Sequence, residues 1–213
     1  MKETEQLKIW EAKFGKDYTD RNVVDPKKRI KTFKNILGGL DIKTIFEVGC
    51  NRGHNLVALS KIGEYQLIGM EPSEYAIKEG RKLGDFPLII KGDCFEIPFV
   101  DSYFDLVFTC GVLIHVANKD LPKAINEIYR ASKKYILAIE YCSKKDGNIF
   151  YRGYDDLLWK RNFKKHFLKL KPDLKYLGGG HLEDKRDGFN DCDWLLFQKR
   201  KINKWEMLKS ETN

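Results

Sequence analysis

The chain is 213 residues long with a formal net charge of +8, 42% hydrophobic and 13% aromatic, which suits one domain with a full core and excludes a disordered chain. Its five cysteines, Cys50, Cys94, Cys110, Cys142 and Cys192, are scattered, odd in number and without a C-x-x-C pair, which argues against a disulfide framework or a zinc site and fits a reducing compartment. The opening MKETEQLKIWEAKFG lacks the apolar core of a signal peptide, and no apolar run reaches the roughly 18 to 20 residues that span a bilayer, so the expectation is a soluble, cytoplasmic protein with no membrane partner and no metal.

From the N-terminus, Trp10, Phe14 and Tyr18 fall at i, i+4 and i+8, the spacing of one helix face, weakened at Gly15; for Trp10 and Phe14 it reads as core packing, while Tyr18 with Arg21 and Asn22 lies where the pattern frays. Short apolar runs follow: TIFEVG, YQLIGM, PLIIKG, FDLVFTC, KYILAIEY and, after a long gap, DWLLFQK. Runs of that length, rich in Ile, Val, Phe and Leu, read as buried parallel strands. Between them HNLVALSKIG, SEYAIKEGRKLG and LPKAINEIYRASK have the apolar spacing of amphipathic helices, with Ser73 as an N-cap and Gly63 and Gly84 as stops. Beyond the fifth run, DDLLWKRNFKKHFLKL reads as a helix with Leu158, Phe163 and Phe167 inward. Strands alternating with helices predict a doubly wound α/β sheet.

The stretch IFEVGCNRGHN, Ile45 to Asn55, falls where the first strand turns into the first helix of that pattern. A ligand there meets free backbone N–H groups and the positive end of a helix. Glycine serves where the chain needs positive φ or must approach the ligand closely, and asparagine is among the few other residues that tolerate positive φ, so Asn51 can stand between Gly49 and Gly53. A dinucleotide fingerprint, G-x-G-x-x-G, needs glycines at 49, 51 and 54, and two of the three fail. The frame acidic-x-G-x-x-x-G is complete in Glu47, Gly49 and Gly53.

That frame resembles the class I S-adenosylmethionine (SAM) methyltransferases, and three further features keep its order. Glu71 ends the second predicted strand, followed by Pro72, where a carboxylate can accept hydrogen bonds from ribose hydroxyls. Asp93 ends the third; in the resembled family it reads the adenine edge with the next backbone N–H, here that of Cys94. FDLVFTCGVLIHV, with Cys110, and then LPKAINEIYRASKKYILAIE resemble the segment through the fifth strand. The resemblance runs from about Lys43 to Tyr141. It implies a mostly parallel, seven-stranded Rossmann-like sheet, SAM as cofactor, and Glu47, Gly49, Cys50, Asn51, Gly53, Glu71, Pro72, Asp93, Cys94 and Cys110 around it. The division expected within one domain is a helical cap over 1–40, a SAM-binding core over 41–142, an acceptor-side insertion and final strands over 143–200, and a tail over 201–213.

A narrower likeness covers both ends: IWEAKFGKDYTDRN and GYDDLLWKRNF are similar to segments of the pseudaminic acid biosynthesis-associated methyltransferases. It implies an acidic or nucleotide-activated sugar as acceptor in bacterial surface-glycan biosynthesis. Tyr18 and Arg21 would lie near the cofactor, and Asn22 near the acceptor. In YRGYDDLLWKRNF the aromatic faces of Tyr151, Tyr154 and Trp159 suit a sugar ring, while Arg152, Lys160 and Arg161 suit a carboxylate or phosphate. His115 is the candidate general base, with a structural histidine the competing reading.

Other acceptors stay open. The surplus of lysine is explained by a solvated surface or by attraction to nucleic acid. TCGVLIH stands where enzymes methylating exocyclic base amines carry Asn/Asp-Pro-Pro-aromatic, and the chain leaves no room for a separate nucleic-acid module. A nucleic-acid partner is therefore not expected, and the chain is expected to be a monomer or homodimer. RNA or protein methylation, or SAM binding without transfer, are the alternatives.

Overall fold

The computed structural model describes residues 4–82, 84 and 88–200, so the expected tail over 201–213 lies outside the described residues. Two helices, α1 (Glu5–Glu11) and α2 (Lys13–Arg21), open the chain, and a 3-10 turn (Pro26–Arg29) leads into α3 (Ile30–Leu37). Then come β1 (Thr44–Val48), α4 (His54–Leu59), β2 (Gln66–Glu71), α5 (Glu74–Arg81), β3 (Leu88–Lys91) and β4 (Phe104–Cys110). A second 3-10 turn (Leu113–His115) precedes α6 (Leu121–Ala131) and β5 (Ser132–Glu140). A small ribbon, β6 (Gly147–Asn148) with β7 (Trp159–Lys160), is followed by α7 (Phe163–Leu170), β8 (Leu174–Leu182), α8 (Asp184–Asp187) and β9 (Cys192–Lys199).

The main sheet has seven strands in the order β3-β2-β1-β4-β5-β9-β8. The first five pair in parallel, and β9 runs antiparallel to both its neighbours. Alternate residues of the central strands serve the two faces, as the period of two requires. Phe46, Val48, Val107, Ile136 and Ala138 pack under Ile125 and Ile128 of α6 and Phe163 and Phe167 of α7. Ile45, Leu106, Phe108 and Leu137 pack under Phe33 and Ile36 of α3 and Leu56 of α4. Strand order reverses between β1 and β4, and in open α/β sheets the crevice at the carboxyl ends beside that reversal is where ligands bind.

Three local expectations are corrected. The single N-terminal helix is two: the chain breaks at Ala12, and a side chain at Gly15 would sit 1.7 Å from the Trp10 carbonyl oxygen. Trp10, Phe14 and Tyr18 still meet edge to face, at 5.2 and 4.9 Å from the Trp10 ring, but as a half-buried cluster and not as core. The helix expected over DDLLWKRNFKKHFLKL begins only at Phe163, because Trp159 and Lys160 pair with Gly147 and Asn148; Leu158, Phe163 and Phe167 are buried as their spacing implied. Strand β8 was not anticipated. Its Gly178-Gly179-Gly180 carries no side-chain pattern; the ring of Trp194 on β9 borders Gly178 and lies so close to Gly180 that a side chain there would come within 2.9 Å of Nε1.

Candidate active site

A cavity of about 540 Å³ opens at the carboxyl ends of β1, β2 and β4, within the usual size range of small-molecule sites. The glycine turn forms its floor. Gly49 has φ +69°, Asn51 +49° and Gly53 +78°, so the asparagine does take the left-handed backbone its place in the frame required. A side chain at Gly49 would come within 2.5 Å of Val112 Cγ2, so glycine is needed there twice over. The backbone N–H groups of Gly49 and Cys50 both donate to the Met70 carbonyl, tying the turn to β2.

Asn51 does more than accept an unusual φ. Its Nδ2 donates to Thr19 Oγ1 of α2 at 3.0 Å, and its Oδ1 accepts from the Arg52 N–H at 2.9 Å. The Glu71 carboxylate is held by two backbone donors, the N–H of Asn51 at 2.9 Å and that of Ser73 at 3.0 Å. Burial nevertheless pushes its pKa up to about 7. Asp93 accepts from the Phe95 N–H at 2.7 Å, and its pKa too is raised by burial. Pro72, Asp93, Cys94 and Cys110 line the same cavity.

Glu47 sits deeper. Asn55 Nδ2 donates to its Oε1 at 2.6 Å, and Arg29 donates to Asn55 Oδ1 at 2.5 Å. The other oxygen, Oε2, is buried without a partner, and burial pushes the pKa to about 8. An orphaned buried carboxylate oxygen is costly unless protonated or met by a ligand donor. Arg29 and Asn55 escaped sequence reasoning: Arg29 sat in a run of lysines, and Asn55 carries no signal until α4 turns it toward Glu47.

The opposite wall is assembled from distant segments. His115 lies in the turn after β4, its ring 4.6 Å from Trp10 and 5.8 Å from Tyr151. Its Nδ1 lies 2.6 Å from the Leu157 carbonyl, which can only accept, so Nδ1 carries the proton and Nε2 keeps a lone pair. Burial first, then the Arg161 charge, lower its pKa to about 4, so the imidazole is neutral at physiological pH. Tyr18, Arg21, Asn22, Tyr151 and Arg152 also line the cavity; burial holds the Tyr18 phenol above its usual range.

The anticipated cation pair in WKR is not there. Trp159, Lys160 and Arg161 do not line the cavity, nor does Tyr154, which packs against Phe14 at 5.5 Å. Lys160 is exposed. Arg161 is fully buried and spends its guanidinium on the protein, donating to the carbonyls of Leu113 and Val116 at 2.9 and 2.6 Å and to Asn118 Oδ1 at 2.9 and 3.0 Å. At the other end of the same turn the buried Glu140 accepts from the N–H groups of Val112, Leu113 and Ile114. The turn carrying His115 is thus gripped at its donors by Glu140 and at its acceptors by Arg161. Sequence periodicity had no access to that pairing, because both partners act on backbone.

Comparison with known proteins agrees with this geometry. Residues 46–135 match the family model described as a methyltransferase domain. That stretch, which runs from β1 into β5, is thus similar to a methyltransferase domain. The chain is 29% identical over 97 residues to a sterol 24-C-methyltransferase of Pneumocystis carinii, covering 43% of this chain and 25% of that one. It is 30% identical over 105 residues to a tRNA U34 carboxymethyltransferase of Campylobacter hominis, covering 46% and 34%. The chain therefore spans about a quarter to a third of these curated relatives. In fold it superposes on a Burkholderia thailandensis 1,6-didemethyltoxoflavin-N1-methyltransferase, holding its acceptor and S-adenosylhomocysteine (SAH), with a TM-score of 0.64 at 11% identity, over 88% of this chain and 83% of that one. With a tRNA enzyme among the relatives of the methyltransferase domain, the expectation against nucleic acid loses its support. Among the described residues no helix is long and apolar enough to cross a membrane, and no three metal-ligating side chains gather.

Proposed function

We propose that the chain transfers the methyl group of SAM to an oxygen of a small acidic or nucleotide-activated sugar, in bacterial surface-glycan biosynthesis as the likeness of its end segments implies. The observation that carries the transfer reading is the meeting, in one cavity, of the glycine turn, three buried carboxylates and a neutral histidine. The residues fit the cofactor. Glu71 suits the ribose hydroxyls, Asp93 and the Cys94 N–H the adenine edge, and the unpartnered oxygen of Glu47 a donor such as the amino group of the methionine portion. Bound there, SAM supplies an electrophilic methyl carbon whose sulfonium leaves as a neutral thioether, so no acid is needed to assist departure.

The chain's own residues then have two tasks. The cavity walls hold the acceptor oxygen in line with the methyl carbon, an effect worth up to roughly 7–11 kcal/mol. His115 Nε2 accepts the hydroxyl proton as the new carbon–oxygen bond forms. A negative charge on a nearby acceptor raises the imidazole's basicity by the electrostatics through which Arg161 lowers it. The test is turnover of methyl-labelled SAM against a panel of sugar acids and activated sugars. Transfer to a sugar, lost in His115→Ala, is expected; SAM binding with no transfer to any acceptor would leave a SAM-binding protein.

A second reading is RNA methylation, favoured by the tRNA-directed relative and the net charge of +8. It predicts RNA binding that weakens steeply between 50 and 200 mM salt, as displacement of counterions from phosphates requires. Flat salt dependence would dismiss it.

A further inference from the structure

Two guanidinium groups at the cavity remain uncommitted. The third arginine that lines it is engaged: Arg29 donates to the Gly188 carbonyl and to Asn55. Arg21 and Arg152 both line the cavity, both are exposed, and neither has an acidic partner among the described residues. They are joined by a run of ring contacts, edge to face between Phe14 and Tyr151. The Arg21 guanidinium lies 5.4 Å from the Phe14 ring and 5.3 Å from Tyr18, Phe14 meets Tyr151 at 6.0 Å, and Arg152 lies 5.7 Å from Tyr151. Tyr151 in turn borders His115.

The backbone supplies an independent observation. Tyr151 and Tyr154 exchange both backbone hydrogen bonds, at 2.8 and 3.1 Å, around the two-residue tip Arg152-Gly153. Both tip residues have positive φ, +50° and +92°, the geometry of tight hairpin turns whose preferred first residue is asparagine, aspartate or glycine. Arginine there is strained, and strain that persists marks a side chain kept for what it does elsewhere. The plain alternative, that Arg21 merely ends α2 and Arg152 is solvated, explains neither the ring contacts nor the turn.

We propose that Arg21 and Arg152 form a two-armed anion clamp at the cavity mouth that takes the carboxylate or phosphate of a small acidic acceptor and sets it beside His115. The clamp rests on the methyl-transfer reading for its purpose; it replaces Lys160 and Arg161 in the role the sequence suggested for them and moves Arg21, expected near the cofactor, to the acceptor. Guanidinium forks match both anions in a bidentate manner, so the class is set by charge and planarity. The aromatic faces between the arms suit the ring that carries the acid.

Ligand-observed NMR with saturating SAH, using glucuronate, glucose 6-phosphate and UDP-glucuronate against glucose, tests this. Acid binding at least 10-fold tighter than that of glucose is expected; preference for glucuronate or for the phosphate tells carboxylate from phosphate recognition. Arg152→Asn should weaken acid binding 10-fold or more while leaving SAH affinity unchanged and the melting temperature equal or higher, since asparagine relaxes the turn. Arg21→Gln should weaken acid binding likewise. Equal binding of glucose, no acid binding at all, or full acid binding in Arg152→Asn would overturn the clamp. So would an RNA oligonucleotide that outcompetes the acids through the same two arginines. Failure of the unsubstituted protein to bind SAH would instead sink the transfer reading, and the acid titrations repeated without SAH still decide the clamp.

Discussion

The two walls of the cavity are built on opposite principles. On the side proposed for the cofactor, the residues sit within a few positions of strand ends, and two of the carboxylates are held by backbone, Glu71 by the N–H groups of Asn51 and Ser73 and Asp93 by that of Phe95, while Glu47 is held by the side chain of Asn55. On the acceptor side, Trp10, Tyr18, Arg21, His115, Tyr151 and Arg152 come from four separate segments, and the turn that carries His115 is positioned by Glu140 and Arg161. The difference teaches that a ligand common to a whole fold can be bound by local geometry. The wall proposed for the acceptor is instead assembled by long-range packing between segments outside the strands.

The largest expected effect strikes the acceptor side through its scaffold. Arg161→Met should strand the carbonyls of Leu113 and Val116 and the side-chain oxygen of Asn118, and cost about 1–3 kcal/mol of stability for each buried acceptor left unpaired. Lys160→Ala next to it should stay within about 0.5 kcal/mol. Thermal melts of the two variants should therefore differ sharply. Equal melts would mean that the turn is not held from below.

The glycine turn sharpens the comparison from the other side. Asn51→Val should weaken SAH binding and destabilise by about 1–3 kcal/mol, because a β-branched residue is strained at φ +49°. Asn51→Gly keeps the turn but loses the bonds to Thr19 and the Arg52 N–H, a smaller loss of about 1 kcal/mol. Titration of both by denaturant checks the order; a Val variant as stable as Gly would contradict it.

The third effect is a pH dependence. Glu47, Glu71 and Glu140 have folded pKa values of about 8, 7 and 7, all raised by burial. Their stabilising contribution is present in full below the unfolded carboxylate range near 4.3 and is lost as pH rises through these folded values. His54 and His115, lowered to about 4 chiefly by burial, act in the opposite direction but only below about pH 6.5. Between about pH 6.5 and 8 the carboxylates act alone, so the melting temperature of the ligand-free protein should fall by several degrees. A melting temperature that rises across that window would contradict the burial of protonated carboxylates.

The same contrast sorts what was legible in the sequence. Short apolar runs and their turns announced β1 to β5 and β9, and the acidic-x-G-x-x-x-G frame announced the floor of the cavity down to the positive φ of Asn51. Strand β8 was silent, since Gly178, Gly179 and Gly180 offer no alternation, and the Trp194 ring that crowds Gly180 comes from the neighbouring strand. The WKR segment misled because charge beside an aromatic looks the same whether it faces a ligand or, as with Arg161, backbone carbonyls 45 and 48 residues away. Arg29 reaches Asn55 and Glu47 only through the fold.

Calorimetric titration of SAH into the unsubstituted protein and into Glu71→Ala tests the central claim, that this cavity is a SAM site built on the glycine turn. The account predicts micromolar binding by the unsubstituted protein and a loss of about 1–3 kcal/mol in the variant, as ribose hydroxyls and two backbone N–H groups lose their acceptor. NAD, whose fingerprint the turn fails, should give no heat in either. No SAH binding by the unsubstituted protein, or the same affinity in Glu71→Ala, would contradict it.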